Sequence, residues 1–454
     1  MRYDTTAPPR GPGRPPPIPT TVVIELGSYR DPDPDAGPRP PAARNRVLPL
    51  TVLAVVLLTV TAAAPPAAVP LRETARIAAA VTDAYTVSGD DVLVARRRGA
   101  DAGLAAYSGD TGRRLWQAPV TPSTSFGIRR DGPTLFVGER VAGGGQPGVI
   151  STRVGTAALS MASGAVLWRH VGRVVPVEGA TTALVVSDVP SFFGGGRRVQ
   201  GAVLGIDVRT GRQLWSVPVP ATAALQPLPG ARARMLLIHE GGRMQTHDLS
   251  DGQVLATAQL PPANYAPDNP AVIGDTVLLR HPQRGGWALS AYDAGSLARR
   301  WSRAEPNVAD TVRACGSLIC VSARSGVRGL DPADGSSRWA QSGWRTVEPR
   351  GANLLVYGAA AGTAELIGLA TAQTGALRLD LRRWRAVPGP ADADVLLTRA
   401  ADADGGTVIA MVDPAGGAIR ILGTLTTGTG DCRAGKGLVV CRSGGGAIVG
   451  WRYR

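Results

Sequence analysis

One short pattern recurs along this chain at near-regular intervals, and it constrains the fold more than any other feature. The pattern is an apolar strand, a tight turn, then Gly-x-x-x-Trp. It stands as AAYSGDTGRRLW with Gly112 and Trp116, LSMASGAVLW with Gly164 and Trp168, and GIDVRTGRQLW with Gly211 and Trp215. It returns as YDAGSLARRW ending at Trp301 and as GLDPADGSSRW with Gly335 and Trp339. Three copies lose the tryptophan: THDLSDGQVLA with Gly252 and Ala256, LATAQTGALRL with Gly375 and Leu379, and MVDPAGGAIRI with Gly417 and Ile421. The anchors fall at 116, 168, 215, 256, 301, 339, 379 and 421. A period of about 44 residues, holding several short strands, is the mark of β-propeller blades.

Between the anchors lie further runs that read as strands of period two: 91–94, 134–137, 183–186, 276–279, 353–356 and 394–397. Each stands two strands before an anchor. That gives four strands per blade, with the anchor on the fourth. The Asp-x-x-Thr-Gly type of turn joins the third and fourth strands, because Asp or Ser bonds its own backbone and Gly accepts the positive φ. A tryptophan four residues further on has the area to wedge between neighbouring blades, with its indole N–H able to reach a backbone carbonyl. These tryptophans therefore read as structural and not as a ligand box. The stretches 143–148 and 191–198 read as loop insertions.

The pattern x-L-x-x-x-D-x-x-T-G-x-x-x-W resembles the PQQ-like repeat of the quinoprotein alcohol dehydrogenase-like propeller superfamily, over about residues 75–454. The resemblance implies an all-β, eight-bladed propeller of four-stranded blades, and eight anchors agree with it; seven or nine blades stay open. About three strands follow Ile421, so a strand from residues 74–88 would have to complete the last sheet. In repeat character the chain is also similar to the propeller lipoprotein of the barrel-assembly machinery. Quinoprotein dehydrogenases carry a vicinal cysteine pair, a calcium site of acidic and amide ligands and a catalytic aspartate. This chain has no adjacent cysteines, and no cofactor, metal or catalytic residue can be carried across. The reading is a binding or scaffolding module and not an enzyme, with a quinone-dependent dehydrogenase or other propeller enzyme as the alternative.

The four cysteines form two closely spaced pairs, Cys315 with Cys320 and Cys432 with Cys441. Both spacings are even, so a two-residue loop centred midway would set each pair directly opposite in a hairpin, close enough for a disulfide. For the second pair that loop is Lys436-Gly437. The segment 430–436 also matches G-x-x-x-x-G-K. Gly437 follows in place of Ser or Thr, and a hairpin is the wrong setting for a phosphate loop. The four histidines show no metal spacing.

Residues 47–64 are an apolar, uncharged run of eighteen, enough to span about 27 Å as a helix. Arg44 and Arg46 precede it and Pro65-Pro66 follow. The reading is three segments: a Pro- and Arg-rich disordered cytoplasmic tail at 1–46, a transmembrane signal anchor at 47–69, and an extracytoplasmic propeller at 70–454. The competing reading is a cleaved signal peptide with its site at 61–64. Within the tail, 21–27 is a β-branched island that either adds as a strand to a partner or is a chance apolar patch. The formal net charge is +14, with Lys436 the only lysine. Such an arginine excess suits a high-GC bacterial genome. It points either to an anionic wall polymer, lipid head groups or an envelope protein as partner, or simply to a basic solvated surface. Nothing points to nucleic acid, and a lone propeller reads as a monomer.

Overall fold

The computed structural model of the protein describes residues 71–453 apart from 97–101, 121, 123–127, 143–151, 190–197, 229, 231, 262–269, 306–308, 361–362, 391–393, 402–404, 414–416 and 427–429. The tail at 1–46, the anchor at 47–69 and nearly all of both loop insertions lie outside the described residues. Among the described residues there is no helix long and apolar enough to cross a membrane.

All regular structure among the described residues is β. The strands form seven sheets of four strands and one of seven. In the seven-stranded sheet, strand Gln213–Leu228 pairs through Trp215 and its neighbours with Arg198–Asp207. Through Ala223–Leu228 it pairs with Arg234–His239. This sheet is therefore two four-stranded units that share one long strand. Taken in chain order, the units are the first at 84–118, second at 128–171, third at 173–219, fourth at 223–259, fifth at 271–305, sixth at 309–341, seventh at 346–380 and eighth at 385–425. Every neighbouring pair of strands is antiparallel. A closing sheet joins Gly430–Gly435, Leu438–Arg442 and Ile448–Arg452 to the N-terminal strand Arg72–Ile77, which pairs with the last of them. The window 74–88 thus supplies two strands with separate destinations: Arg72–Ile77 completes the closing sheet, and Ala84–Ser88 begins the first unit.

The second strands differ from the alternating pattern read from sequence. Val92, Leu93 and Val94 of the first unit are all fully buried, as are Val277, Leu278 and Leu279 at the equivalent place in the fifth. Each such strand has a neighbouring unit on both faces, so both sides are core and the run is continuously apolar.

The anchors join one unit to the next. Trp116 Nε1 donates to Met161 O at 2.7 Å, Trp168 to Val208 O at 2.9 Å, and Trp215 to Leu249 O at 2.9 Å. Trp301 donates to Pro332 O at 2.9 Å and Trp339 to Ala372 O at 3.0 Å. Every acceptor lies three residues before the turn glycine of the following unit, and that glycine lies against the indole. A Cβ built on Gly211 would come within 2.6 Å of the Trp168 ring, and one on Gly375 within 2.7 Å of Trp339. Gly211 has φ of 71°, and its N–H bonds Asp207 O at 2.8 Å. The residue there must both accept a positive φ and leave room for a ring, and only glycine does both.

At one of the places where the tryptophan is lost, the partner position changes with it. The fourth unit ends in Ala256, and the fifth unit carries Leu297 where the others have glycine. Leu297 takes φ of 58° and is buried, in the same apolar cluster as Ala256. The leucine fills from one side the slot an indole fills from the other, at the expense of an unfavourable backbone conformation. Ala256→Trp alone should destabilise the protein by about 1–3 kcal/mol through overpacking. Adding Leu297→Gly should recover most of that loss, with a coupling of about 1–3 kcal/mol in a denaturation double-mutant cycle. Additive effects would show that the two positions do not share one slot.

Candidate functional site

First strands of neighbouring units meet at several junctions. Ala271–Ile273 lies beside both Gln213–Leu228 and Ala309–Cys315, and Ala84–Ser88 lies beside Gly430–Gly435. Two clefts open at these strands, and arginine dominates the charge of both.

The larger, of about 670 Å³, lies among the fourth, fifth and sixth units. Gln226, Arg234, Asp275, Arg280 and Arg313 supply its polar lining. Arg234 donates to Ala294 O at 2.8 Å, while its Nε is buried without a hydrogen-bond partner. The one carboxylate among its described lining residues, Asp275, is already engaged by Arg300, whose Nη2 lies 2.8 Å from Asp275 Oδ2 and 2.6 Å from Asp293 Oδ2. The Arg300 guanidinium holds the Asp275 carboxyl below the usual range. Asp293 is held well below it, by the Ser296 N–H first and by Arg300 second.

The smaller cleft, of about 590 Å³, lies between the eighth unit and the closing sheet. Arg383, Arg385, Arg399 and Arg433 line it, with Asp431 as the one acid among the described residues. Asp431 Oδ1 is 2.9 Å from Arg433 Nη1, so that charge is matched. Arg399 lies over the Trp384 ring, 5.0 Å from its centroid, and its Nε is buried without a hydrogen-bond partner. Asp431 holds φ of 42°, and its carbonyl accepts a hydrogen bond from the Tyr85 hydroxyl of the first unit. Burial pushes the Tyr85 phenol up, so it stays a neutral donor.

Both cysteine pairs are disulfides, in separate sheets. Cys432 faces Cys441 directly, with Cα atoms 4.1 Å apart, across a hairpin turned by Lys436-Gly437. The other pair departs from the direct opposition read from sequence. The turn there is Gly316-Ser317, so Cys315 pairs with Leu318 and Cys320 with Arg313. The cysteines sit diagonally on one face, 5.6 Å apart at Cα. Gly316 takes φ of 60°, and it sets the turn one residue earlier than the midpoint.

Of the other residues singled out in the sequence, Gly112 packs on the backbone of Arg76 in the closing sheet. Gly164 packs on Trp116 and Gly335 on Trp301. The cleft arginines were not singled out individually. Their only sequence signal was the arginine excess, since chain spacing does not reveal which strands meet.

A family model described as outer membrane protein assembly factor BamB matches residues 71–174 and 158–341, together more than half of the chain. The chain belongs to this family of PQQ-like repeat propellers. The solved structures similar to it include BamB from Moraxella catarrhalis, at 15% identity, covering 72% of this chain and 96% of that one with a TM-score of 0.42. Another is the quinohemoprotein alcohol dehydrogenase ADHIIG from Pseudomonas putida, at 14% identity, 64% of each chain and a TM-score of 0.40. A eukaryotic initiation factor matches at 10% identity, over 76% of this chain and 89% of that one, with a TM-score of 0.51. At that identity the last likeness shows the fold alone. No curated protein matches the chain significantly. Both disulfides are hairpin links, and no three His, Cys, Asp or Glu side chains among the described residues group to hold a metal.

Because Asp275 and Asp293 have depressed pKa values, their ion pairs with Arg300 stabilise the fold above about pH 4, and that contribution is lost as pH falls further. Arg300→Gln should therefore be less stable than wild type at neutral pH. The gap between their thermal midpoints should close as pH falls below about 4. A gap that persists in acid would show that Arg300 acts by packing and not by charge.

Proposed function

We propose that the chain is a non-catalytic binding module of the cell envelope. In this reading residues 47–69 tether it to the membrane, residues 1–46 stay in the cytoplasm and the propeller presents its clefts on the outer side to a partner protein. The observation that carries the reading is the pair of arginine-lined clefts at the first strands, in a family typified by an assembly factor. Arginine forks suit carboxylate and phosphate groups, and a basic concave surface raises the encounter rate with anionic partners. The ring would have nine blades, one more than the anchors, because the closing sheet follows the eighth unit and ends in Arg72–Ile77 instead of an anchored fourth strand. It would act as a monomer.

The test is photo-crosslinking in the native membrane, with the reactive side chain at position 313 or 385 in the clefts, or at Leu167 on a fourth strand as control. The cleft positions should give one discrete crosslinked protein that the control lacks. Equal crosslinking from all three positions would contradict the reading. So would stoichiometric uptake of pyrroloquinoline quinone with calcium by the purified chain, which would favour the dehydrogenase alternative.

A further inference from the structure

We infer that the smaller cleft binds an extended acidic segment of a protein, rich in Asp or Glu. This rests on the binding-module reading and names the chemistry of the partner.

The first support is charge. Among the described residues, four guanidinium groups line the cleft with one carboxylate, and Asp431 is already paired with Arg433. Among the described residues Arg383, Arg385 and Arg399 have no carboxylate partner. Arg399 is further fixed by its stack on Trp384, so its planar fork is held in place before a ligand arrives.

The second is backbone. Arg385–Ala386 and Gly430–Gly435 are both end strands of their sheets. Among the described residues neither edge pairs with a further strand; on the second, Ala434 N–H already donates to Pro388 O at 2.8 Å, and the rest of that edge faces the cleft. Arg385–Ala386 is short, and only two residue pairs join it to the next strand. An extended peptide can add to such an edge through main-chain hydrogen bonds while its alternate side chains reach the arginines. A phosphate polymer can use the arginines but has no amide ladder to offer.

The third is the lining between the charges. Ala386, Val387, Pro388 and Cys432 give the cleft an apolar base. That suits the methylene stems and backbone of a peptide better than a phosphodiester chain. Its volume lies in the range of ligand-binding clefts. The strained Asp431 backbone, bonded by Tyr85 and followed by the Cys432–Cys441 bridge, fixes one wall.

The test uses the full chain, solubilised in neutral detergent, with fluorescent hexaglutamate as probe. Hexaglutamine, tripolyphosphate and phosphatidylglycerol vesicles are the comparisons. Hexaglutamate should bind, and raising salt from about 50 to about 500 mM should weaken it about tenfold or more. Arg385→Gln with Arg399→Gln should weaken it by a similar factor without moving the thermal midpoint. Hydrogen exchange on the wild-type protein needs no variant: the peptide should protect amides at 385–386 and 430–433. Tighter binding of tripolyphosphate or the vesicles than of hexaglutamate would overturn the acidic-peptide assignment. Unchanged affinity in the double variant, or protection elsewhere only, would overturn the location. If hexaglutamate fails while the crosslink from position 385 persists, the acidic chemistry is wrong and the binding-module reading stands; loss of both ends both.

Discussion

The fit of each indole against the turn glycine of the next unit is the contact on which the ring depends. A four-stranded sheet cannot bury both faces by itself, so every unit needs its neighbours. The tryptophan covers apolar area, and its N–H satisfies a carbonyl in the adjoining turn, so one side chain sets both the spacing and the rotation between units. The glycine makes this geometry available, because a Cβ at Gly211 or Gly375 would collide with the indole. The Ala256 and Leu297 pair shows the same requirement from the other side: the slot must be filled once, and the residue that fills it can come from either unit.

A ring has one further problem, which is where the chain ends meet. Here the N-terminal strand Arg72–Ile77 completes a sheet built from the last residues. Cross-links between the ends then gather at that place. Arg452 pairs with Asp90 and Asp110 of the first unit, and Arg442 lies over Tyr85 with an Nη1 bond of 2.8 Å to Ala80 O. The Cys432–Cys441 bridge holds the first hairpin of the same sheet. The smaller cleft opens beside this joint, so the sheet that closes the ring also forms one wall of a candidate binding site.

Much of the fold was legible because its signals are local. The Asp-x-x-Thr-Gly turn, the glycine with positive φ and the tryptophan after it occupy a few consecutive residues. Their recurrence identifies the unit and the strand on which each anchor sits. The closing sheet was harder to count, because Arg72–Ile77 carries no anchor and pairs with residues at the other end of the chain. The Cys315–Cys320 register was misread for a related reason: equal spacing suggested a midpoint turn, but Gly316 draws the turn toward itself. The clefts were not legible at all. Arg234, Arg313, Arg385, Arg399 and Arg433 are far apart in sequence, and only the ring brings them to neighbouring strands. In an arginine-rich chain they carry no distinguishing local pattern.

The most direct measurement of the indole contact is exchange of the side-chain N–H protons, resolved in a nitrogen-15 spectrum. Trp287 is partly exposed and lies on a hairpin outside the anchor series, so it provides an internal reference. The indole protons of Trp116, Trp168, Trp215, Trp301 and Trp339 should exchange only when neighbouring units separate, far more slowly than that of Trp287. If any of the five exchanged as fast as Trp287 under native conditions, that indole would not be docked, and the account of how the ring is held together would fail there.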